Sequence, residues 1–304
     1  MKKLLLLLLF IPCVVYGQAK VGTAGAQFLE IGPSARGQAM GNMYMSVTND
    51  VFAVYYNPGA VAANKGKELA LSYIKYPADI NYNFFAFTMP AYRIGGKIGF
   101  SGTALYMDQM PVRTPAHPEG TGQTFTAADY SFGLTYSRML TDRFSVGVTA
   151  KYIGEYLADE KALGWAADIG TIYFTGFHNM RLGIAVTNFG PDMKFIDRPY
   201  PLPMNFRFSI SSDIISDATN LLTVGFYGSH PADNLEKFSL GTEYWFNRML
   251  AVRGSWEIQH DSERFSAGAG LNIPLGNFFA KADYSYTDMK YLTDIHRFTI
   301  GLQF

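Results

Sequence analysis

At 304 residues the chain is long enough for one large barrel or two ordinary domains, so length alone separates neither. Aromatic residues make up 15% of it and charged residues only 16%, and the 25 basic and 25 acidic residues cancel, which excludes the basic footprint of a nucleic-acid binder. A mean hydropathy of +0.02 is too low for a bundle of membrane helices, but suits aromatic-rich, charge-poor strands with a lipid face and a polar interior.

The first 17 residues read as a cleaved signal peptide: Lys2 and Lys3 precede an apolar run over residues 4–15, and Val15 and Gly17 offer a cleavage site before Gln18. The run is too short to span a bilayer, and no later segment reaches the roughly 18 consecutive apolar residues of a spanning helix. The single cysteine, Cys13, lies inside it, preceded by Ile11 and Pro12 instead of the small residues of a lipoprotein site. A mature chain without cysteine fits export into a bacterial envelope without disulfides.

Residues 18–66 differ from everything after them. Small residues and turn formers dominate residues 22–41, and no alternation of strand length is sustained. Residues 49–56 read as a strand-like run that ends in a sharp turn at Asn57-Pro58-Gly59, because Pro58 fixes its own φ and restricts Asn57 while Gly59 is free to take positive φ. Two readings are open for this segment: a surface linker, or a plug tucked into a lumen, where Phe28, Leu29, Ile31, Phe52 and Tyr55 find shelter. The domain division adopted is a plug over residues 18–66 and a barrel over residues 67–304.

Beyond Lys67 the side chains alternate with a period of two. Tyr130, Phe132, Leu134 and Tyr136 alternate with Ser131, Gly133, Thr135 and Ser137, and Phe206, Phe208 and Ile210 or Phe238, Leu240, Thr242 and Tyr244 repeat the pattern. The runs predict an all-β fold, a transmembrane antiparallel up-and-down β-barrel of about fourteen strands. Counting back from the carboxy terminus, short turns at residues 90–95, 139–143, 247–249 and 274–277 fall on the periplasmic side. Residues 212–220 form a longer exception, whereas residues 108–126 and 189–203, the two longest connections, fall on the outer side.

Turning each apolar face to lipid sends Lys151, Asp168, Arg207, Glu243, Arg253, Glu257, Lys281, Asp283 and Arg297 into the lumen. Their signs nearly balance, which suits ion pairs packed against a plug; solvated lumen charges without partners are the alternative. The last strand alternates Phe298, Ile300, Leu302 and Phe304 with Arg297, Thr299, Gly301 and Gln303. It is expected to pair with the first strand, close the barrel against outer-membrane lipid, and serve as the segment read by the barrel assembly machinery.

Motifs for catalysis are absent from the sequence: there is no G-x-S-x-G elbow, H-E-x-x-H helix or G-x-x-x-x-G-K-[ST] loop. The five histidines, His117, His178, His230, His260 and His296, are far apart, with no metal-ligand spacing. The chain is therefore read as a non-enzyme, with no cofactor and no metal.

Residues 22–32 (GTAGAQFLEIG), residues 34–41 (SARGQAMG), Asn49-Asp50 and Tyr55-Tyr56-Asn57-Pro58-Gly59 resemble the amino-terminal signature of the PorV/PorQ family of outer-membrane proteins. That family is in turn similar to the FadL-type transporters, with a fourteen-stranded barrel and an amino-terminal segment in the lumen. The resemblance implies the outer membrane of a Gram-negative, Bacteroidota-like bacterium. It also implies one of two roles. The first is an accessory of type IX secretion that binds the translocon or secreted cargo through its outer loops. The second is FadL-like passive transport of hydrophobic small molecules. Apolar loop residues Met110, Phe125, Phe195, Tyr200 and Leu202 are expected to offer an exposed surface for either.

Overall fold

Alternation of side chains decides where each strand's two faces go. In the computed structural model Phe298 and Ile300 stand outside at 51% and 59% exposure, whereas Arg297 and Thr299 between them are 1% and 4% exposed inside. The structure describes residues 21–47, 50–64 and 66–304, so the expected signal peptide and Cys13 lie outside the described residues.

Fourteen strands follow one another around a single closed sheet. They are β1 (Glu68–Lys75), β2 (Asn81–Ala91), β3 (Gly96–Tyr106), β4 (Ala127–Thr141), β5 (Phe144–Leu157), β6 (Glu160–Phe174) and β7 (Arg181–Phe189). The second half comprises β8 (Asn205–Ser216), β9 (Leu221–Pro231), β10 (Lys237–Phe246), β11 (Leu250–Ile258), β12 (Glu263–Leu275), β13 (Phe278–Met289) and β14 (Ile295–Gln303). Every neighbouring pair is antiparallel, and β14 returns to β1 in a register that runs from Glu68 opposite Gln303 to Lys75 opposite His296. Closure leaves no edge, so the backbone groups of the strands find their partners inside the sheet, as a spanning sheet in hydrocarbon requires. Lys67 and Phe304 extend the seam by exchanging both backbone hydrogen bonds, at 2.8 and 2.9 Å.

The two ends of the barrel differ. At one, the turns are short: residues 142–143 join β4 to β5, 247–249 join β10 to β11, and 276–277 join β12 to β13. At the other, residues 107–126 and 190–204 form long connections, each folded back as a two-stranded hairpin, Met110–Pro111 against Thr124–Phe125 and Met193–Lys194 against Pro199–Tyr200. By the rule for outer-membrane barrels the long-loop end faces out and the short-turn end faces the periplasm. The long turn expected over residues 212–220 shrinks to 217–220, because β8 runs on to Ser216. A β-bulge between Asp213 and Ile215 resets the alternation there, and that break in period is what looked like the end of the strand.

The residues before β1 form short helical turns inside the barrel: α1 (Ala35–Ala39), α2 (Tyr44–Val47) and α3 (Ala53–Tyr56), with 3-10 turns at Gln27–Glu30 and Pro58–Ala63. The strand-like run expected before Asn57 is corrected by α3. Asp50 accepts a hydrogen bond from the Phe52 amide at 3.0 Å and turns the chain, and the apolar residues that mimicked a strand are buried on every side, so their spacing carries no period. Helices of four or five residues do not persist alone. Here packing holds them: Phe52 stacks on Phe84 of β2 with ring centroids 5.7 Å apart, and Tyr55 and Tyr82 donate to the carbonyls of Leu29 and Ile31 at 3.0 and 3.2 Å.

Candidate functional site in the barrel lumen

The segment crosses the lumen from end to end. Gly22 and Gly25 donate to the carbonyls of Asp233 and Pro201 at 3.1 and 3.0 Å, both in loop-end connections. Forty residues later the Ala62 amide donates to Ser137 Oγ at 3.1 Å, near the short-turn end of β4.

Asn57-Pro58-Gly59 fastens the segment to the wall. Asn57 is 0% exposed; its Nδ2 donates to the carbonyls of Thr171 on β6 and Met45 on α2 at 2.9 and 3.2 Å, and its Oδ1 accepts from the Gly59 amide at 3.1 Å. Pro58 opens the 3-10 turn, where its missing N–H costs nothing. Gly59 is not in the left-handed region the sequence reading allowed it. Glycine is required there by contact instead, because a Cβ would lie 2.5 Å from the carbonyl oxygen of Gly170. The wall reciprocates: a Cβ on Gly147 would meet the Pro58 oxygen at 2.2 Å, and one on Gly170 would meet Asn57 Oδ1 at 2.2 Å.

Charges tie the opposite flank. Arg36 of α1 grips Glu243 of β10 with two hydrogen bonds of 2.7 Å, from Nε and Nη2, and reaches Asp50 with Nη1 at 3.2 Å. Arg253 donates to Glu243 through Nε and to Asp283 through Nη1, both at 2.7 Å, and Tyr44 donates its hydroxyl to Asp50. The guanidinium carbons of Arg36 and Arg253 lie 5.7 and 5.3 Å from the Trp245 ring. Arg207 binds Glu30 at 2.7 Å, and Lys281 binds Glu68 at the same distance. Lys151 pairs with Asp168 at 2.7 Å, and Glu257 accepts from Ser255 Oγ at 3.0 Å with His260 Nε2 at 3.5 Å. Arg297 donates to two hydroxyls, Thr287 Oγ1 at 2.9 Å and Tyr76 Oη at 3.4 Å.

The sequence reading missed Glu30, Arg36 and Asp50, the three charges that carry this network into the segment. A signal was present: they are its charged residues between Val21 and Asn64, in a stretch otherwise made of small and apolar side chains. The loop residues expected to be exposed divide. Met110 is 45% exposed, but Leu202 is buried at 4%, and Phe195 stacks on Tyr200 against a cluster that includes Phe28 and Leu29. Among the described residues no group of three or more His, Cys, Asp or Glu side chains could hold a metal ion.

Two polar cavities of about 320 Å³ each remain. One lies at the loop end beside Arg207 and Arg297, the other at the short-turn end beside Arg253 and Lys281. They share no lining residue; α1 contributes Gln38 to the first and Arg36 to the second. On the outside of the wall, an apolar groove of about 590 Å³ runs over β14 and β1 to β4, between Leu71, Phe85, Phe132 and Ile300.

Comparison with solved structures returns the same architecture. The chain is similar to the Ralstonia pickettii toluene transporter TbuX (14% identity, covering 89% of this chain and 97% of that one, TM-score 0.55). It is similar to a Pseudomonas aeruginosa FadL homologue (11%, 90% and 98%, TM-score 0.56). A deltaS2S3 mutant of TodX, the Pseudomonas putida toluene transporter, also matches (11%, 89% and 98%, TM-score 0.62). At such identities the likeness establishes the fold alone. No protein of curated function matches the sequence significantly. A family model described as type IX secretion system protein PorV matches residues 16–229, a span that holds the whole lumenal segment and both long loop-end connections. On that match, over more than half its length, this outer-membrane barrel belongs to the PorV family of type IX secretion system proteins.

Proposed function

We propose that this protein is a non-enzymatic accessory of type IX secretion in the outer membrane of a Gram-negative, Bacteroidota-like bacterium, and that its loop end binds the translocon or secreted cargo. The observation that carries this reading is the family match over residues 16–229. The loop end supports it. Met110, Ile196, Leu235 and Tyr291 project from four different connections there at 45%, 63%, 55% and 71% exposure. Apolar side chains that face neither lipid nor core suit a protein partner. A lumen filled by a segment tied through buried ion pairs suits a barrel that works as a closed platform. In this reading residues 18–66 act as the plug, and the strand bearing Phe298, Ile300, Leu302 and Phe304 presents the barrel to its assembly machinery.

The alternative is FadL-like passive transport of hydrophobic small molecules, which draws support from the apolar groove of about 590 Å³ on the lipid face. Purification from detergent extracts, with identification of what accompanies the barrel, separates the two. A giant translocon barrel or carboxy-terminally tagged cargo is the expected companion. Recovery of the barrel alone, together with faster uptake of an apolar dye into proteoliposomes, overturns the secretion reading in favour of transport.

A further inference from the structure

Not every charge of a strand is turned inward. Ser137 of β4 faces the lumen, where its hydroxyl is hydrogen-bonded to the Ala62 amide and the Gly59 carbonyl, so the pleat turns the next residue, Arg138, onto the outer wall in line with Phe132, Leu134 and Tyr136. Its guanidinium lies against the β2–β3 turn, since a Cβ on Gly95 would be 3.8 Å from Arg138 Cζ, and Arg93 is two residues from that glycine. The Arg143 guanidinium lies against the β6–β7 turn in the same way, 3.4 Å from where a Cβ on Gly176 would be. Arg93, Arg138 and Arg143 thus stand exposed along one arc of the short-turn rim.

Among the described residues none of these three side chains makes an ion pair or a hydrogen bond. The turns of the arc hold one carboxylate, Asp142, which is in no ion pair either, so three positive charges face one negative. Elsewhere on the rim the arginines are engaged: Arg181 pairs with Asp213, and Arg248 donates to the Asp217 carbonyl at 2.7 Å.

A guanidinium on the lipid side of the wall, just past the row of Phe132, Leu134 and Tyr136, stands where hydrocarbon gives way to headgroups. There it draws a counter-ion, and its fork of N–H donors matches the oxygens of a phosphate. Ile94, Leu140 and Phe177, all more than half exposed, flank the arginines with apolar surface suited to the upper part of an acyl chain. A soluble acidic partner would not need a charge aimed at lipid. We propose that Arg93, Arg138 and Arg143 hold the phosphate headgroup of an anionic phospholipid in the periplasmic leaflet. The site is independent of whether the loop end serves secretion or transport.

Native mass spectrometry tests it, on the full-length barrel released from micelles doped with equal amounts of phosphatidylglycerol and phosphatidylcholine. Wild type is expected to retain phosphatidylglycerol over phosphatidylcholine by roughly tenfold or more. Arg138→Gln and Arg143→Gln should each lower that preference about fivefold, and the double variant should abolish it. Arg264→Gln, at the loop end and paired with Asp288, should leave it unchanged. Equal retention of the two lipids by wild type overturns the proposal, as does an undiminished preference in a double variant that keeps the heat-modifiable migration of a folded barrel. An equal loss in Arg264→Gln would reduce the effect to general charge and overturn it too. Displacement of the lipid by glycerol phosphate or by a polyglutamate peptide at equal concentration would make the arc a site for a free phosphate or for an acidic protein, and the lipid assignment would be wrong.

Discussion

Asn57 shows how much one side chain can hold when it is fully buried. Its amide serves two carbonyls on different elements and its oxygen caps the next turn, so truncation removes an acceptor for the Gly59 amide and leaves the Met45 and Thr171 carbonyls short of a donor. A lost cap costs about 1 kcal/mol and each buried group left unpaired about 1–3 kcal/mol. Asn57→Ala should therefore lower the local opening free energy of residues 44–60 by about 3 kcal/mol while β10 to β14 keep their protection, which hydrogen exchange in micelles resolves residue by residue. At the periplasmic end the backbone amides of Asn220 and Thr219 hold the exposed Asp217 carboxyl down at about 2, below its ordinary 3.8. A depressed carboxyl stabilises its turn above the ordinary value, and that contribution is lost as pH falls through the folded value. Exchange of the Thr219 and Asn220 amides should accordingly rise as pH falls from about 4 to about 2 after correction for intrinsic rates, and Asp217→Ala should abolish that dependence.

For the lumenal segment as an element, the physics is that of a ligand covalently attached to its own binding site. Its helical turns are too short to form alone, so wall contacts decide whether it stays. Arg36 is the side chain most exposed to this argument: Arg36→Ala takes the cationic partner from Asp50 and two of the three hydrogen bonds from Glu243, at a cost of about 3–5 kcal/mol. In planar bilayers that variant should show frequent openings, and deletion of residues 18–59 a steady rise in single-channel conductance. Unchanged conductance in the deletion would mean the segment does not close the lumen. Much at this scale was legible beforehand. Where no bulge interrupts it, period-two alternation gives the inside and outside of a strand, because the pleat couples side-chain direction to sequence parity, and Lys151, Glu243, Arg253 and Arg297 could be turned inward on that ground alone. Partners were not legible, since Arg36 meets Glu243 across 207 positions of chain and parity carries no information about which strand faces which helix. The short helices were hidden for a related reason: a segment buried on all sides has no hydrophobic period to read.

Over the whole molecule, closure is the property on which the rest depends. A sheet of fourteen strands with one seam open would present two unpaired edges to hydrocarbon, where each unsatisfied backbone group costs several kcal/mol. The seam is made by β14 alone, joining β13 on one side and β1 on the other, and Gly66 and Lys67 lead from the lumenal segment straight into it. Removing residues 296–304 therefore takes away two ladders at once and leaves the segment beside an open wall. The truncated chain should fail to give the compact, heat-modifiable species of a folded barrel on electrophoresis, and its lumenal segment should become open to protease. The double substitution Phe298→Ser and Ile300→Ser keeps the backbone ladder intact and changes only the lipid face. It should fold in micelles yet insert poorly into bilayers, separating the part of closure that is hydrogen bonding from the part that is solvation by lipid. If the truncated chain folded as well as the full one, closure would have to come from β1 pairing directly with β13, and the assignment of the seam to β14 would fall.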